Sequence, residues 1–193
     1  MSERAMSASR QRTAAAIVDC AQSLAEERGL DGFTMDEVAE CAGVSRRTLF
    51  NYFPGKIDAV LGSPTAPNPE RLVEFRAGGP TGRLSVDIKT VITNLLDSKD
   101  ADPADLDRVR RLVASDARLH KALHDKFARF AEFLADAVRA REGADFGELR
   151  ARGAATATLS LFDLALEAYI ESPEISLADH YVTAFDGAAA LFA

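Results

Sequence analysis

The chain has 193 residues, 47% hydrophobic and 27% charged, enough to bury a substantial core in one generous domain or two small ones. No run approaches the roughly 18 apolar residues a membrane helix needs, and the arginines of MSERAMSASRQRT have no apolar stretch behind them, so a cytoplasmic protein without membrane attachment is expected. A net charge of −7 runs against the basic footprint of a nucleic-acid binder, but residues 1–56 hold seven Lys/Arg against eight Asp/Glu, which leaves the acid mostly in the remainder.

Apolar residues recur at helical intervals almost throughout and no strictly alternating run is bounded by hairpin turns, so the fold is expected to be all-α. The first helix is expected from about Gln11 to Arg28, with Ala14, Ile17, Val18, Ala21, Leu24 and Ala25 on one stripe and Gly29 as its stop. Arg4, Arg10 and Arg12 then precede it. Phe33 and Thr34 restart the chain, and Thr34 with Glu37 three positions on makes a capping box. That short helix carries Val38, Ala39 and Ala42 inward and stops at Gly43. Ser45 is the next N-cap, opening a helix to about Asn51, and Pro54 ends it. A fourth helix reaches about Leu61.

Residues 62–82, with four prolines and four glycines, read as a connector interrupted by the apolar patch Leu72, Val73 and Phe75. The patch is expected to form a short docked helix. Beyond lie helices at about 84–99, 103–114, 117–141, 146–171 and 177–191, with Asp102 before a Pro at the first helical position and Ser176 paired with Asp179 as caps. The expected organisation is thus a helix-turn-helix domain over 1–61, a connector over 62–82 and a second helical domain over 83–193.

The span FTMDEVAECAGVSRRTLFNYFPGK, from Phe33 to Lys56, holds the most specific signal. Two short helices joined by Ala42, Gly43 and Val44 form a helix-turn-helix, whose second helix would enter the major groove of double-stranded DNA. Arg46 and Arg47 suit guanine edges or phosphates, Thr48 and Asn51 can hydrogen-bond bases or backbone, and Ser45 leaves helix N–H groups near a phosphate. Leu49 faces inward, Tyr52 offers a hydroxyl to a phosphate, Phe53 is buried against the first helix, and Lys56 would clamp the flanking backbone. With Thr34, these make the expected DNA-binding set Thr34, Ser45, Arg46, Arg47, Thr48, Asn51, Tyr52 and Lys56.

The run resembles the DNA-binding domain of the TetR (tetracycline repressor) family over roughly residues 10–61: a first helix ending in Gly, a Phe-Thr cap, Val38-Ala39, Ala42-Gly43-Val44-Ser45, Thr48-Leu49-Phe50, Tyr52-Phe53 and Lys56. Phe50 stands where the family usually has Tyr, and Ile57 where it usually has an acidic residue. The resemblance implies a two-domain homodimer whose C-terminal domain binds a small molecule and alters the spacing of two reading heads. The expected function is therefore a ligand-responsive regulator, a repressor released from a palindromic operator by a largely apolar inducer. The alternative is a ligand-binding helical dimer without DNA binding. No cofactor is expected.

For the second domain, Leu119, Leu123, Phe127, Phe130 and Leu134 follow helical spacing with Phe133 beside them, a stripe that reads as core more readily than as pocket. The expected ligand-lining set is Ile88, Ile92, Leu95, Leu112, Phe127, Phe130 and Phe162, with Asn94, His124 and Thr158 as polar handles. The segment ATLSLFDLALEAYI is apolar on nearly every face and the Ala/Gly-rich TAFDGAAALFA permits close approach, which points to a two-fold interface through Phe162, Leu166, Tyr169, Val182, Phe185 and Ala189.

Lesser features are set aside. His120 and His124, four apart with Asp116 and Asp125 nearby, lack a third anchor for a metal, so no metal site is expected. Cys20 and Cys41 have neither CxxC nor His spacing and are expected to form no disulfide framework and no zinc site. Cys20 reads as a packing residue, and a redox switch at a partly exposed Cys41 is the minor reading. Arg108, Arg110 and Arg111 read as a solvated face. There is no phosphate loop, nucleophile elbow or HExxH, so no enzyme is expected.

Overall fold

The first helix, α1, spans Glu3–Arg28 in the computed structural model, which describes residues 3–62, 69–97 and 102–191. It begins eight residues earlier than the apolar stripe places it, because no Gly or Pro interrupts the sequence ahead of that stripe. Arg4, Arg10 and Arg12 accordingly lie on α1 rather than before it. Then follow α2 (Met35–Cys41), α3 (Arg46–Tyr52), α4 (Lys56–Leu61), α5 (Pro69–Arg76), α6 (Leu84–Asp97), α7 (Pro103–Ser115), α8 (Ala117–Glu142), a 3₁₀ turn (Ala144–Phe146), α9 (Glu148–Glu171) and α10 (Leu177–Leu191). The described residues contain no strand, and the all-α reading stands. Residues 63–68 of the expected connector, and 98–99 of the helix expected to end at 99, lie outside the described residues.

The chain folds into two compact units, and the first is discontinuous in sequence: residues 1–64 together with 107–124. Its core is Ile17, Ala21, Ala25, Leu30, Phe33, Val38, Leu49, Phe53, Ala59 and Val60, closed by Leu112 and Leu119 from the later segment. The expected division at residue 83 assigned Leu112 and Leu119 to the second domain. Their burial against α1 to α4 is a long-range outcome that no local pattern marks. Polar contacts hold the same segment. Arg108 donates to Asp19 (2.8 Å), Glu26 (2.7 Å) and Ser23 (3.1 Å), and Arg111 reaches Glu26 and Asp107, so Arg108 and Arg111 are not a free solvated face.

A second departure concerns the cysteines. Cys20 of α1 and Cys41 of α2 are joined in a disulfide, with Cα atoms 5.9 Å apart. Spacing rules for metal and redox motifs do not see this pair, because the two positions are 21 apart in sequence, across helix, loop and helix.

The second unit comprises residues 65–106 and 125–193. Phe75, Ile88, Ile92, Leu96, Leu134, Val138, Ala151, Ala155, Ala165, Leu177 and Tyr181 form its core, and α9 and α10 pack along each other within it. The patch in the Pro/Gly-rich stretch does form a short helix, α5. Phe75 is buried in this core and Leu72 packs at its margin, whereas Val73 is 68% exposed. Arg141 of α8 fixes the segment. Its guanidinium lies over the Phe75 ring, donates to the carbonyls of Phe75 (3.0 Å) and Gly79 (2.9 Å), and pairs with Asp87 at 2.5 Å. Asp87 also accepts from the Thr81 amide and hydroxyl at 2.9 and 2.7 Å. Both members of the ion pair are buried, so each depends on the other for the solvation that water no longer supplies.

Candidate nucleic-acid interface

The helix-turn-helix is held from within by short-range hydrogen bonds. Thr34 accepts the Glu37 amide at 3.2 Å while its own N–H donates to the Glu37 carboxylate at 2.7 Å, the reciprocal pair of a capping box. Arg28 at the end of α1 donates to the other oxygen of Glu37 at 2.9 Å. The Thr34 hydrogen bonds, followed by the Arg28 pairing, hold the Glu37 carboxyl below its ordinary value despite the opposing effect of burial. Upstream, Gly32 is needed for space: a Cβ there would lie 2.2 Å from the Arg28 carbonyl oxygen.

The turn depends on Gly43, whose φ of +64° lies in the left-handed region that side chains disfavour. The turn also lets the Val44 amide donate back to Ala39 at 2.9 Å. Ser45 then caps α3, its hydroxyl accepting the Thr48 amide at 3.0 Å. Leu49 is fully buried and Phe53 nearly so, which fixes the rotation of α3 about its axis. The opposite face carries Arg46, Arg47, Phe50 and Asn51, all exposed.

These residues differ in how far they are already engaged. Arg46 donates to Asp36 of α2 at 2.7 Å and lies over the Phe50 ring, 5.5 Å from its centroid. Arg47 and Asn51 make no hydrogen bond or ion pair among the described residues and project from the exposed face. Ser45 and Thr48 share a 2.8 Å hydroxyl contact at the start of α3. Tyr52 is half-buried with Arg10 of α1 over its ring, a contact that places a cation beside the phenol. Thr34 is exposed, but its hydroxyl is occupied by Glu37.

Lys56 departs most from the expected pure phosphate clamp. Its ammonium donates to the Leu30 carbonyl at 2.9 Å and lies 4.9 Å from the Phe33 ring centroid, so it also ties α4 to the loop after α1. Beside it is an open surface cleft of about 350 Å³, also lined by Asp31 and Arg118. Arg118 bridges Asp31 (2.9 and 3.0 Å) and Asp116 (2.8 Å). Its hydrogen bonds bring the Asp116 carboxyl down to about 2 and lower that of Asp31.

Residues 17–58 match the model of the bacterial regulatory proteins of the tetR family. Over that segment, which runs from α1 into α4, the chain is similar to the tetR family. Solved structures share the fold over nearly the whole length. A Mesorhizobium loti MAFF303099 protein assigned to the TetR-family transcriptional regulators is 20% identical, covers 94% of this chain and 97% of its own, and aligns with a TM-score of 0.50. The SmeT–triclosan complex is 18% identical, covers 93% and 90% respectively, and aligns with a TM-score of 0.51. No curated protein matches the chain. Within the matched segment, α2 and α3 have the arrangement of a helix-turn-helix.

The expected ligand-lining residues are not brought together. Ile88, Ile92 and Thr158 are buried in the second unit, with Phe130 and Phe162 at its core margin and Leu95 half-buried on α6. Leu112 belongs to the core of the first unit, and Asn94 and His124 are exposed. Phe127 is 36% exposed, its ring 6.2 Å from that of Phe162. Periodicity identifies a buried face, but which neighbour covers it depends on the packing of helices distant in sequence. The sequence reading also missed Tyr181, fully buried with a hydroxyl that lacks a hydrogen-bond partner among the described residues, where burial pushes the phenol up. No metal-binding cluster of His, Cys, Asp or Glu occurs among the described residues, His120 and His124 included.

Proposed function

We propose that the protein is a homodimeric repressor that binds a palindromic operator through α3 and leaves it when a small, largely apolar molecule binds the second unit. One observation carries the DNA half of this reading. Arg47 and Asn51 stand exposed and uncommitted on a helix whose rotation is fixed by buried Leu49 and Phe53, the arrangement that base-edge readout requires. Arg46 can exchange its exposed pairing with Asp36 for a phosphate or guanine, because a surface ion pair contributes little net stability.

The N-terminal unit serves as the DNA-binding domain and the second unit as the ligand-binding and dimerisation domain. Dimerisation runs through α9 and α10. Leu164 and Leu191 are exposed on these helices, and Phe162, Leu166, Tyr169, Val182 and Phe185 are only half-buried within one chain, with Ala189 exposed beside them. Apolar positions left partly open on adjacent helices are what an isologous contact between two copies would cover. A buried core with a lone phenol and the Thr158 hydroxyl suits an apolar ligand with one polar group. Action in the cytoplasm follows from the place of the DNA.

The test is fluorescence anisotropy of a labelled duplex spanning the region upstream of the protein's own gene, at several salt concentrations, against a scrambled duplex. The expected result is preferential binding of the upstream duplex with a steep salt dependence. Equal, weak binding to both duplexes would favour the alternative, a helical ligand-binding dimer that does not read DNA.

A further inference from the structure

We propose that Cys20 and Cys41 form a reversible thiol–disulfide exchange site that sets how firmly the DNA-reading helices are held. The inference rests on the DNA-binding role of α3. It is carried by where the bond lies. The helix α2 has only seven residues, too few to be stable alone, and Val38 and Ala39 are its only buried positions. Its start is fixed by the Thr34–Glu37 capping box, and its last residue is Cys41. The disulfide therefore fixes the free end of α2, the end that leads through Ala42, Gly43 and Val44 to the N-cap of α3.

The two sulfurs differ in access. Cys20 is 8% exposed within the α1 face that also buries Ile17 and Ala21, whereas Cys41 is an exposed residue at the rim of the turn. An external thiol or disulfide therefore meets Cys41 first, and Cys20 is placed to resolve the intermediate. Because a DNA-binding regulator of the cytoplasm, as proposed above, works where thiol pools keep most cysteines reduced, a disulfide in its reading head is of the transient, redox-sensing kind.

The oxidant is a low-molecular-weight disulfide such as oxidised glutathione. The Cys41 thiolate attacks one of its sulfurs, forming the mixed disulfide and releasing one glutathione thiolate. The Cys20 thiolate then attacks the Cys41 sulfur, forming the Cys20–Cys41 bond and releasing the second thiolate. Two electrons pass from the protein dithiol to the external disulfide, and the two cysteine protons end on the released thiolates. Two reduced glutathione molecules run the same steps in reverse. The bonded state is the pre-organised one, since a helix-turn-helix already held in its reading geometry loses less freedom on binding.

The experiment equilibrates the full-length protein in glutathione buffers of graded ratio. Three quantities are then read on each sample: alkylatable thiols by mass spectrometry, amide hydrogen exchange over residues 35–45, and affinity for the upstream duplex. The expected result is a reversible change from two free thiols to none, with slower exchange at Val38 to Val44 and about five- to tenfold tighter DNA binding in the oxidised form. Cys41→Ser should stay at the reduced affinity in every buffer. Cys20→Ser should instead accumulate glutathione at Cys41, showing that Cys20 is the resolving thiol. A thiol count that no buffer changes overturns the proposal, as does identical DNA affinity of the two forms. If the thiols and the exchange rates respond but neither form binds DNA, the exchange site stands and the DNA-binding role fails.

Discussion

Replacing Arg141 with Met tests the buried ion pair that anchors the segment after α5. The Arg141 side chain is 2% exposed and that of its partner Asp87 0%, so the interaction is little screened by solvent. Methionine keeps most of the volume but removes the charge opposite Asp87 and the donors to the Phe75 and Gly79 carbonyls. Removing one member of a buried pair costs about 3–5 kcal/mol, because the remaining charge has lost its counter-ion. For a chain of this size that is a fall in thermal midpoint of roughly 10 °C. The double variant Asp87→Leu/Arg141→Met removes both charges and should recover most of the loss, within about 2 kcal/mol of the wild type.

The pH dependence adds a sign. Burial raises the Asp87 carboxyl, but the hydrogen bonds from Thr81 and then Arg141 outweigh it, leaving the carboxyl below its ordinary 3.8. Asp87 thus contributes stability that is present above that value and lost as pH falls through its lowered folded value. Without Arg141 the folded value moves up, so the variant's uncompensated charge is neutralised at a higher pH. The stability gap between wild type and Arg141→Met should be full at pH 7 and narrow as pH falls toward 3.8. Urea denaturation followed by far-ultraviolet circular dichroism at each pH measures it. A single variant within about 0.5 kcal/mol of wild type at pH 7, or a gap that does not close with acid, would refute the reasoning.

Leu112→Ala, in a segment far in sequence from the helix-turn-helix but buried in the same core, should cost about 2–5 kcal/mol and lower DNA affinity at physiological temperature. Calorimetry with anisotropy checks this, and unchanged DNA binding and melting would show that residues 107–124 are dispensable to the first unit. Asn51→Ala should weaken binding of the upstream duplex by about 1–3 kcal/mol and relax one base position, leaving stability unaltered. Lys56→Ala should weaken binding to every duplex and also lower the melting temperature, because its ammonium holds the Leu30 carbonyl. A melting temperature unchanged by Lys56→Ala would reduce the residue to a phosphate contact. Phe162→Glu should yield helical monomers by light scattering, since a charge in a covered apolar contact finds no partner. A dimeric mass would place the interface elsewhere.

The parts legible in the sequence are those whose physics is local. The Thr34–Glu37 box, the Ser45 cap and the left-handed Gly43 each lie within a few residues of the groups they serve, so residue type and spacing alone mark them. The same locality made the helix boundaries from Leu84 to Leu191 readable and placed Leu49 and Phe53 inward and Arg47 and Asn51 outward. The engagement of Lys56 with the Leu30 carbonyl lies across 26 residues and no spacing rule anticipates it.

What the tertiary structure alone decided are pairings between residues brought together by packing. Asp87 and Arg141, 54 residues apart, look in the sequence like ordinary surface charges, and only the fold removes both from water and makes each indispensable to the other. Arg108 and Leu112 read as parts of a later domain until α1 supplies their carboxylates and their apolar neighbours. Cys20 and Cys41 carry no motif, and their bond exists because α2 crosses α1 with the two Cα atoms 5.9 Å apart. Helix periodicity specifies which face of a helix is apolar. The partner that covers the face depends on interactions summed over the whole fold, and no window of sequence contains that sum.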